Sequence, residues 1–173
     1  AKVLSRYLDG IMIRTFDQKD VDDLAKYADI PVINGLTDLL HPCQVLADFQ
    51  TIREYKKGLK GLKLCYIGDG NNMTNTLIQG AAKVGMDIAC ASPEGYFCNM
   101  DIVKEAKCDA DANGSKIILT TSPEEAIEGA DIVYTDTWVS MGQEEEKAKR
   151  IRDFAGFEIT DALMGKAKSD AIF

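Results

Sequence analysis

The sequence has a single histidine, a single tryptophan and four prolines in 173 residues. No stretch of it approaches the roughly 18 apolar residues that a membrane-spanning helix requires. Cysteine is present but unpaired by pattern. Cys43, Cys65, Cys90, Cys98 and Cys108 are odd in number and contain no Cys-x-x-Cys pair, so neither a disulfide framework nor a structural zinc site fits the spacing. A reducing, cytoplasmic compartment is the expectation. An excess of positive charge is also missing. Twenty basic against 28 acidic side chains give a net charge of −8, which argues against a nucleic-acid backbone or an anionic membrane as the main partner. The start, Ala1-Lys-Val-Leu-Ser-Arg-Tyr-Leu8, lacks the apolar stretch of a secretion signal. It also lacks an initiator Met, and the other end, Asp170-Ala-Ile-Phe173, stops within strand-like sequence, so a piece of something longer is expected.

What is there is an ordinary globular composition, 46% apolar and 28% charged, and a nearly unbroken alternation of helix and strand patterns. An amphipathic stripe over Val3, Leu4, Tyr7 and Leu8 predicts a helix over Ala1–Leu8. Strands are predicted at Ile11–Ile13, Pro31–Asn34, Leu62–Gly68, Asp87–Ala91, Lys116–Thr120 and Asp131–Thr135. Helices are predicted over Gln18–Tyr27, Pro42–Lys56, through Leu77, Ile78, Ala81 and Ala82, around Ile102, Val103 and Ala106, and over Pro123–Ile127 behind Ser122 as N-cap. Such alternation implies parallel βαβ units. The expected architecture is α/β, with parallel sheets flanked by helices: the end of a first α/β domain over residues 1–57, including a bridging helix 42–57, and most of a second, Rossmann-like α/β domain over 58–173. In such folds ligands bind at the carboxyl ends of the strands.

Four segments at those ends carry candidate chemistry. Arg14 follows the first strand, where it could clamp a phosphate or carboxylate bidentately; a surface pair with Asp17 is the plainer alternative. His41-Pro-Cys-Gln44 opens the long helix, whose N-terminus favours anions. There His41 can donate to a carbonyl oxygen while the Gln44 carbonyl accepts from an adjacent NH2, a pair that matches a carbamoyl group; a capped helix with a polar first turn is the alternative. Cys43 reads as packing filler, because neighbours two apart on a helix do not face each other. Gly68-Asp-Gly-Asn-Asn-Met73 has two glycines of a dinucleotide fingerprint but Met where the third belongs, which disfavours NAD. Asn71 and Asn72 could instead bind a small polar ligand or simply cap the turn. Asp136-Thr-Trp-Val-Ser-Met-Gly142 follows a buried strand, with Asp136 poised for a cationic amine and the loop suited to a binding segment. The Glu144–Glu146 run and the later Lys147, Lys149 and Arg150 match a helix dipole.

Taken in order, Asn34-Gly-Leu-Thr-Asp38, His41-Pro-Cys-Gln44, Gly68-Asp-Gly-Asn-Asn72 and Asp136-x-Trp-x-Ser-Met-Gly142 resemble the ornithine carbamoyltransferases, over essentially the whole chain. The Ser-Met-Gly loop is the most specific of these motifs. The resemblance implies transfer of the carbamoyl group of carbamoyl phosphate to the δ-amine of L-ornithine, giving citrulline and phosphate, with no cofactor and no metal. It implies that Arg14, His41 and Gln44 bind carbamoyl phosphate and act in catalysis, and that Asn72, Asp136, Ser140 and Met141 hold ornithine, Met141 through its backbone. It also implies a homotrimer with active sites between subunits. The family's Ser-Thr-Arg-Thr loop would precede residue 1 and its His-Cys-Leu-Pro segment would follow Phe173, so catalysis by these 173 residues alone is not expected. The alternatives are a carbamoyltransferase for another amine or amino acid, such as putrescine or aspartate, and a non-catalytic ligand-binding or assembly fragment.

Overall fold

The structure is a computed structural model that describes residues 1–139 and 144–173. Two parallel sheets organise them. The first pairs β1 (Ile11–Arg14) with β2 (Val32–Leu36), joined by α1 (Gln18–Tyr27). The long helix α2 (Pro42–Lys56) leads out of this unit. The second sheet has four strands, β3 (Lys63–Ile67), β4 (Asp87–Ala91), β5 (Ile117–Thr120) and β6 (Ile132–Tyr134), in the order β5-β4-β3-β6. The crossovers are α3 (Asn72–Val84), α4 (Met100–Asn113) and α5 (Pro123–Ile127); α6 (Lys147–Asp153) and α7 (Asp161–Met164) follow β6. No helix of the described residues is long and apolar enough to cross a membrane.

The strand order locates the site. From β3 the chain builds outward to β4 and β5, then returns to add β6 on the opposite side of β3. The crevice between the carboxyl ends of β3 and β6 is therefore a topological switch point, where connections diverge and leave room for a ligand. β3 is covered on both faces, which explains its unbroken apolar run. Leu64 and Tyr66 join the core under α2, α3 and α4, while Cys65 and Ile67 pack with Ala89, Ala91, Ala126, Ile127, Val133 and Leu163 on the other face.

α2 is predicted correctly from its apolar stripe and its Pro, and its role is to fasten the two units together. Val45, Phe49 and Ile52 belong to the core of the second sheet. The close crossing with α3 occurs at Gly80, where a Cβ would stand 2.8 Å from the Phe49 ring and 3.1 Å from Val45. At the far end the Lys56 ammonium pairs with the Asp170 carboxylate at 2.9 Å.

Three local expectations differ from the structure. The Ala1–Leu8 stripe forms only a single 3-10 turn, Leu4–Arg6, without a side-chain cap. Val3, Leu4, Tyr7 and Leu8 are all exposed, so no packing among the described residues offsets the cost of nucleating a helix. The second strand runs two residues further than expected, to Leu36. The strand expected at the C-terminal end is one parallel bridge, Ile172 beside Ile132.

The Gly80 crossing yields a stability test. Gly80→Val should destabilise the fold by about 1–3 kcal/mol, because the overpacking of Phe49 and Val45 exceeds the gain in helix propensity. Urea unfolding of the two proteins measures the difference.

Candidate functional site

A cleft of about 970 Å³ opens where the carboxyl edges of the two sheets meet, lined by Arg14, His41, Gln44, Asn72 and Asp136 among others. Five of the seven residues singled out in the sequence thus face one cavity. The other two, Ser140 and Met141, lie outside the described residues.

The two sides of the cleft are registered by hydrogen bonds from the first turns of α3. Asn72 Nδ2 donates to the carbonyl of Thr37 at 2.7 Å, and Asn75 Nδ2 to the carbonyl of Leu39 at 3.1 Å. The backbone N–H of His41 donates to Thr76 Oγ1 at 2.8 Å. Thr37 is fully buried and its hydroxyl reaches back to Gln18 Oε1 at 2.7 Å. Asn72 therefore has one end of its amide committed to the scaffold. Asn71 has two tasks. Its Oδ1 accepts from the N–H groups of Met73 and Thr74, capping α3, and its Nδ2 donates to Asp136 Oδ2 at 2.9 Å. The capping alternative is thus visible at Asn71, while the Asn72 NH2 is taken up by the Thr37 carbonyl.

On the other wall, residues 41, 44 and 48 fall on one face of α2, as spacings of three and four dictate. Burial lowers the His41 pKa from its ordinary value of 6.5, and Arg14 lowers it further, against weaker opposing effects of Asp48 and Asp136. At neutral pH the imidazole is thus uncharged and carries one N–H donor. Its Nδ1 is buried with no hydrogen-bond partner among the described residues. The Gln44 amide donates its NH2 to Asp48 Oδ1 at 2.9 Å, which leaves its oxygen without a partner among the described residues. Burial also pushes the Asp48 carboxyl up, with Gln44 and Tyr134 holding it back in part. Arg14 does not pair with Asp17, whose side chain caps α1 by accepting from Lys19 N–H at 2.8 Å. Cys43 is exposed rather than packed, and its thiol donates to the Asn34 carbonyl at 3.2 Å.

The floor near β3 and β6 is held by an ion pair that the sequence pattern does not reveal. Arg150 donates to Asp69 Oδ2 at 2.7 Å, and both side chains are only 8% exposed. The same guanidinium donates to the Trp138 carbonyl at 3.0 Å and to Glu146 at 3.2 Å, and lies over the Tyr96 ring. Burial pushes the Asp69 carboxyl up, and Arg150 pulls it back only in part. Arg150 reads in the sequence as a charge completing a helix dipole; it does stand in the last turn of α6, but its side chain is buried under the cleft. Trp138, Tyr96 and Phe157 surround the buried Phe154 ring beside it. Gly70 is required by packing: a Cβ there would collide with the Phe97–Cys98 backbone, which seats the loop after β4 and its Tyr96 carbonyl on the Gly70 N–H at 2.8 Å. The second glycine of Gly-Asp-Gly thus admits a neighbouring loop.

Comparison with known proteins agrees with this layout. Residues 1–54 match the family model for the carbamoyl-P binding domain, and residues 60–173 that for the Asp/Orn binding domain, of aspartate/ornithine carbamoyltransferase. The ornithine carbamoyltransferase of Caldicellulosiruptor saccharolyticus is 61% identical over all of this chain, which covers 56% of that protein. That of Bacillus subtilis is 53% identical over all of this chain, covering 54% of its length. The structure of ornithine carbamoyltransferase from Pyrococcus furiosus superposes with a TM-score of 0.94 at 48% identity, covering 99% of this chain and 55% of that one. The chain spans about half the length of the curated relatives it matches.

Two outcomes follow from the geometry. Arg150→Met should cost about 3–5 kcal/mol in urea unfolding, because it leaves Asp69 buried without its partner, and Asp69→Asn in the same chain should return part of that loss. The second concerns pH. Because the folded His41 pKa lies below 6.5, the unfolded chain binds more protons between those two values, so this contribution to stability is complete above pH 6.5 and falls as pH drops toward the folded value. His41→Gln should flatten that acid limb, measured by urea midpoints from about pH 5 to about pH 7.

Proposed function

This chain belongs to the aspartate/ornithine carbamoyltransferase family, and from that membership we propose that it contributes to an enzyme that carbamoylates L-ornithine. The observation that supports this reading best is the polarity of the cleft. A neutral histidine and a glutamine oxygen stand at a helix N-terminus on one wall, and an Asn71-anchored carboxylate stands on the other. The first set matches the C=O and NH2 of a carbamoyl group, and the second matches an amine.

In the proposed reaction Arg14 and the α2 N-terminus attract the phosphate end of carbamoyl phosphate. His41 donates to the carbamoyl oxygen, which becomes an oxyanion as the neutral δ-amine of ornithine attacks the carbon. Gln44 accepts from the carbamoyl NH2 and fixes its plane. The new C–N bond forms, the C–O bond to phosphate breaks with its electron pair, and the ammonium so created passes one proton to the departing phosphate. Asp136, with Asn72 and the Ser140–Met141 segment, orients the α-amino acid end so that the δ-amine reaches the carbon, which is catalysis by proximity. We further propose the division into residues 1–57 and 58–173, a homotrimeric assembly, a cytoplasmic location and a place in arginine metabolism.

Citrulline formation by the protein carrying this sequence tests the reading. Asp136→Asn should lower kcat/KM for ornithine about 10- to 100-fold, the worth of a charge-assisted hydrogen bond. Equal competition by putrescine or aspartate would overturn the choice of acceptor, and unchanged ornithine use by the variant would overturn the role of Asp136.

A further inference from the structure

Asp48 lies outside the four motif segments quoted above, yet it is the hydrogen-bond partner of the Gln44 amide. It sits one turn beyond Gln44 on the same face of α2, and its Oδ1 accepts from the Gln44 NH2 at 2.9 Å. Its Oδ2 is buried and has no hydrogen-bond partner among the described residues. A primary amide is planar, with its oxygen and NH2 on opposite sides. Once the NH2 is held by a carboxylate, which can only accept, the oxygen must point the other way. An unanchored amide could turn its NH2 toward the cleft and meet the carbamoyl NH2 donor to donor.

We propose that Asp48 is the positioning residue of the carbamoyl end of the site: it fixes Gln44 with its oxygen presented to the ligand, and its carboxylate supplies a negative charge facing His41 along α2. The orientation half of this inference rests on the function proposed above; the charge half does not. The charged and titratable groups facing His41 are Arg14 from the end of β1, Asp48 from α2 and Asp136 from beyond β6. Those facing Asp48 are His41 and the Tyr134 hydroxyl at the end of β6. Arg14 opposes a positive imidazole, and Asp48 and Asp136 favour it. Removing the Asp48 charge therefore moves the His41 titration further down.

The His41 imidazole signal, assigned in the NMR spectrum by its loss in His41→Gln, makes this directly readable. Two variants separate the two effects. Asp48→Asn keeps an acceptor oxygen for Gln44 but removes the charge, whereas Asp48→Leu removes both. The expected result is a lower His41 titration midpoint in both variants. In the same proteins the KM for carbamoyl phosphate should rise about five- to tenfold with Leu, more than kcat falls, and most of that rise should be absent with Asn. An unmoved His41 midpoint, or a KM as high with Asn as with Leu, would overturn the proposal. If the wild-type protein makes no citrulline, the function proposed above fails instead. The positioning role is then judged by the His41 midpoint and by the Gln44 side-chain NH2 resonances, which must shift on Asp48→Leu. Should the leucine variant not fold, the asparagine variant decides the matter through the His41 midpoint alone.

Discussion

The register between the Thr37–His41 segment and the first two turns of α3 is the constraint on which the rest of the site depends. Three hydrogen bonds set it, from Asn72 to Thr37, from Asn75 to Leu39 and from His41 to Thr76. Each contributes only about 1 kcal/mol net. Their leverage is geometric. Thr37 is fully buried, so a slip would strand its carbonyl and hydroxyl away from water at a further cost. His41 and Gln44 follow that segment directly, and Asp136 is tied through Asn71 to the same helix. One helix N-terminus therefore holds both walls of the cleft, while the α2–α3 crossing at Gly80 holds the helices that carry them.

Much of the fold is readable in the sequence for a physical reason. β3 and β4 are covered on both faces, so they appear as short apolar runs, and the helices that follow β3, β4 and β5 begin at Asn71, Asn99 and Ser122, whose side chains accept from first-turn N–H groups. Periodicity and capping are local, and local signals survive in a single sequence. The Ala1–Leu8 stripe shows the limit. Its pattern is that of an amphipathic helix, but amphipathicity becomes a helix only when the apolar face is covered, and here Tyr7 and Val3 remain exposed.

The site divides along the same line. His41 and Gln44 stand out because four adjacent residues carry complementary chemistry. Asp69 and Arg150 do not, because their pairing spans 81 positions and each has a plausible local role, one in a turn and one at a helix end. Asp48 lies between these cases. It is only four residues from Gln44 and on its face of the helix, so the spacing rule contains the pair. What the rule lacks is the setting: the Gln44 side of this exposed pair lines the cleft, while the other oxygen of Asp48 is buried beneath it. Gly70 is legible as a required glycine but not for its reason: the fingerprint logic reads it as room for a ligand, and the structure fills that room with the Phe97–Cys98 backbone.

Net charge is a poor guide to such a cleft, and pairing explains why. The acidic lining outnumbers the basic one, which alone would repel a phosphate. Yet Arg150 is shared between Asp69 and Glu146, offsetting one of their two charges, and Lys149 pairs with Asp153. Arg14 is then the lining cation without an ion pair among the described residues, and it stands on the same side as the α2 N-terminus and an uncharged His41. Asp136 stands on the opposite wall, held by a neutral amide rather than a cation. Asp38 and Glu94 also line the cleft without an ion pair among the described residues, so what favours an anion there is local: Arg14 and the α2 N-terminus. Coulomb interactions in a partly dry cavity act over just such distances. Groups that stand this close to a small ligand, rather than the sign of the whole chain, decide which of its ends each wall favours.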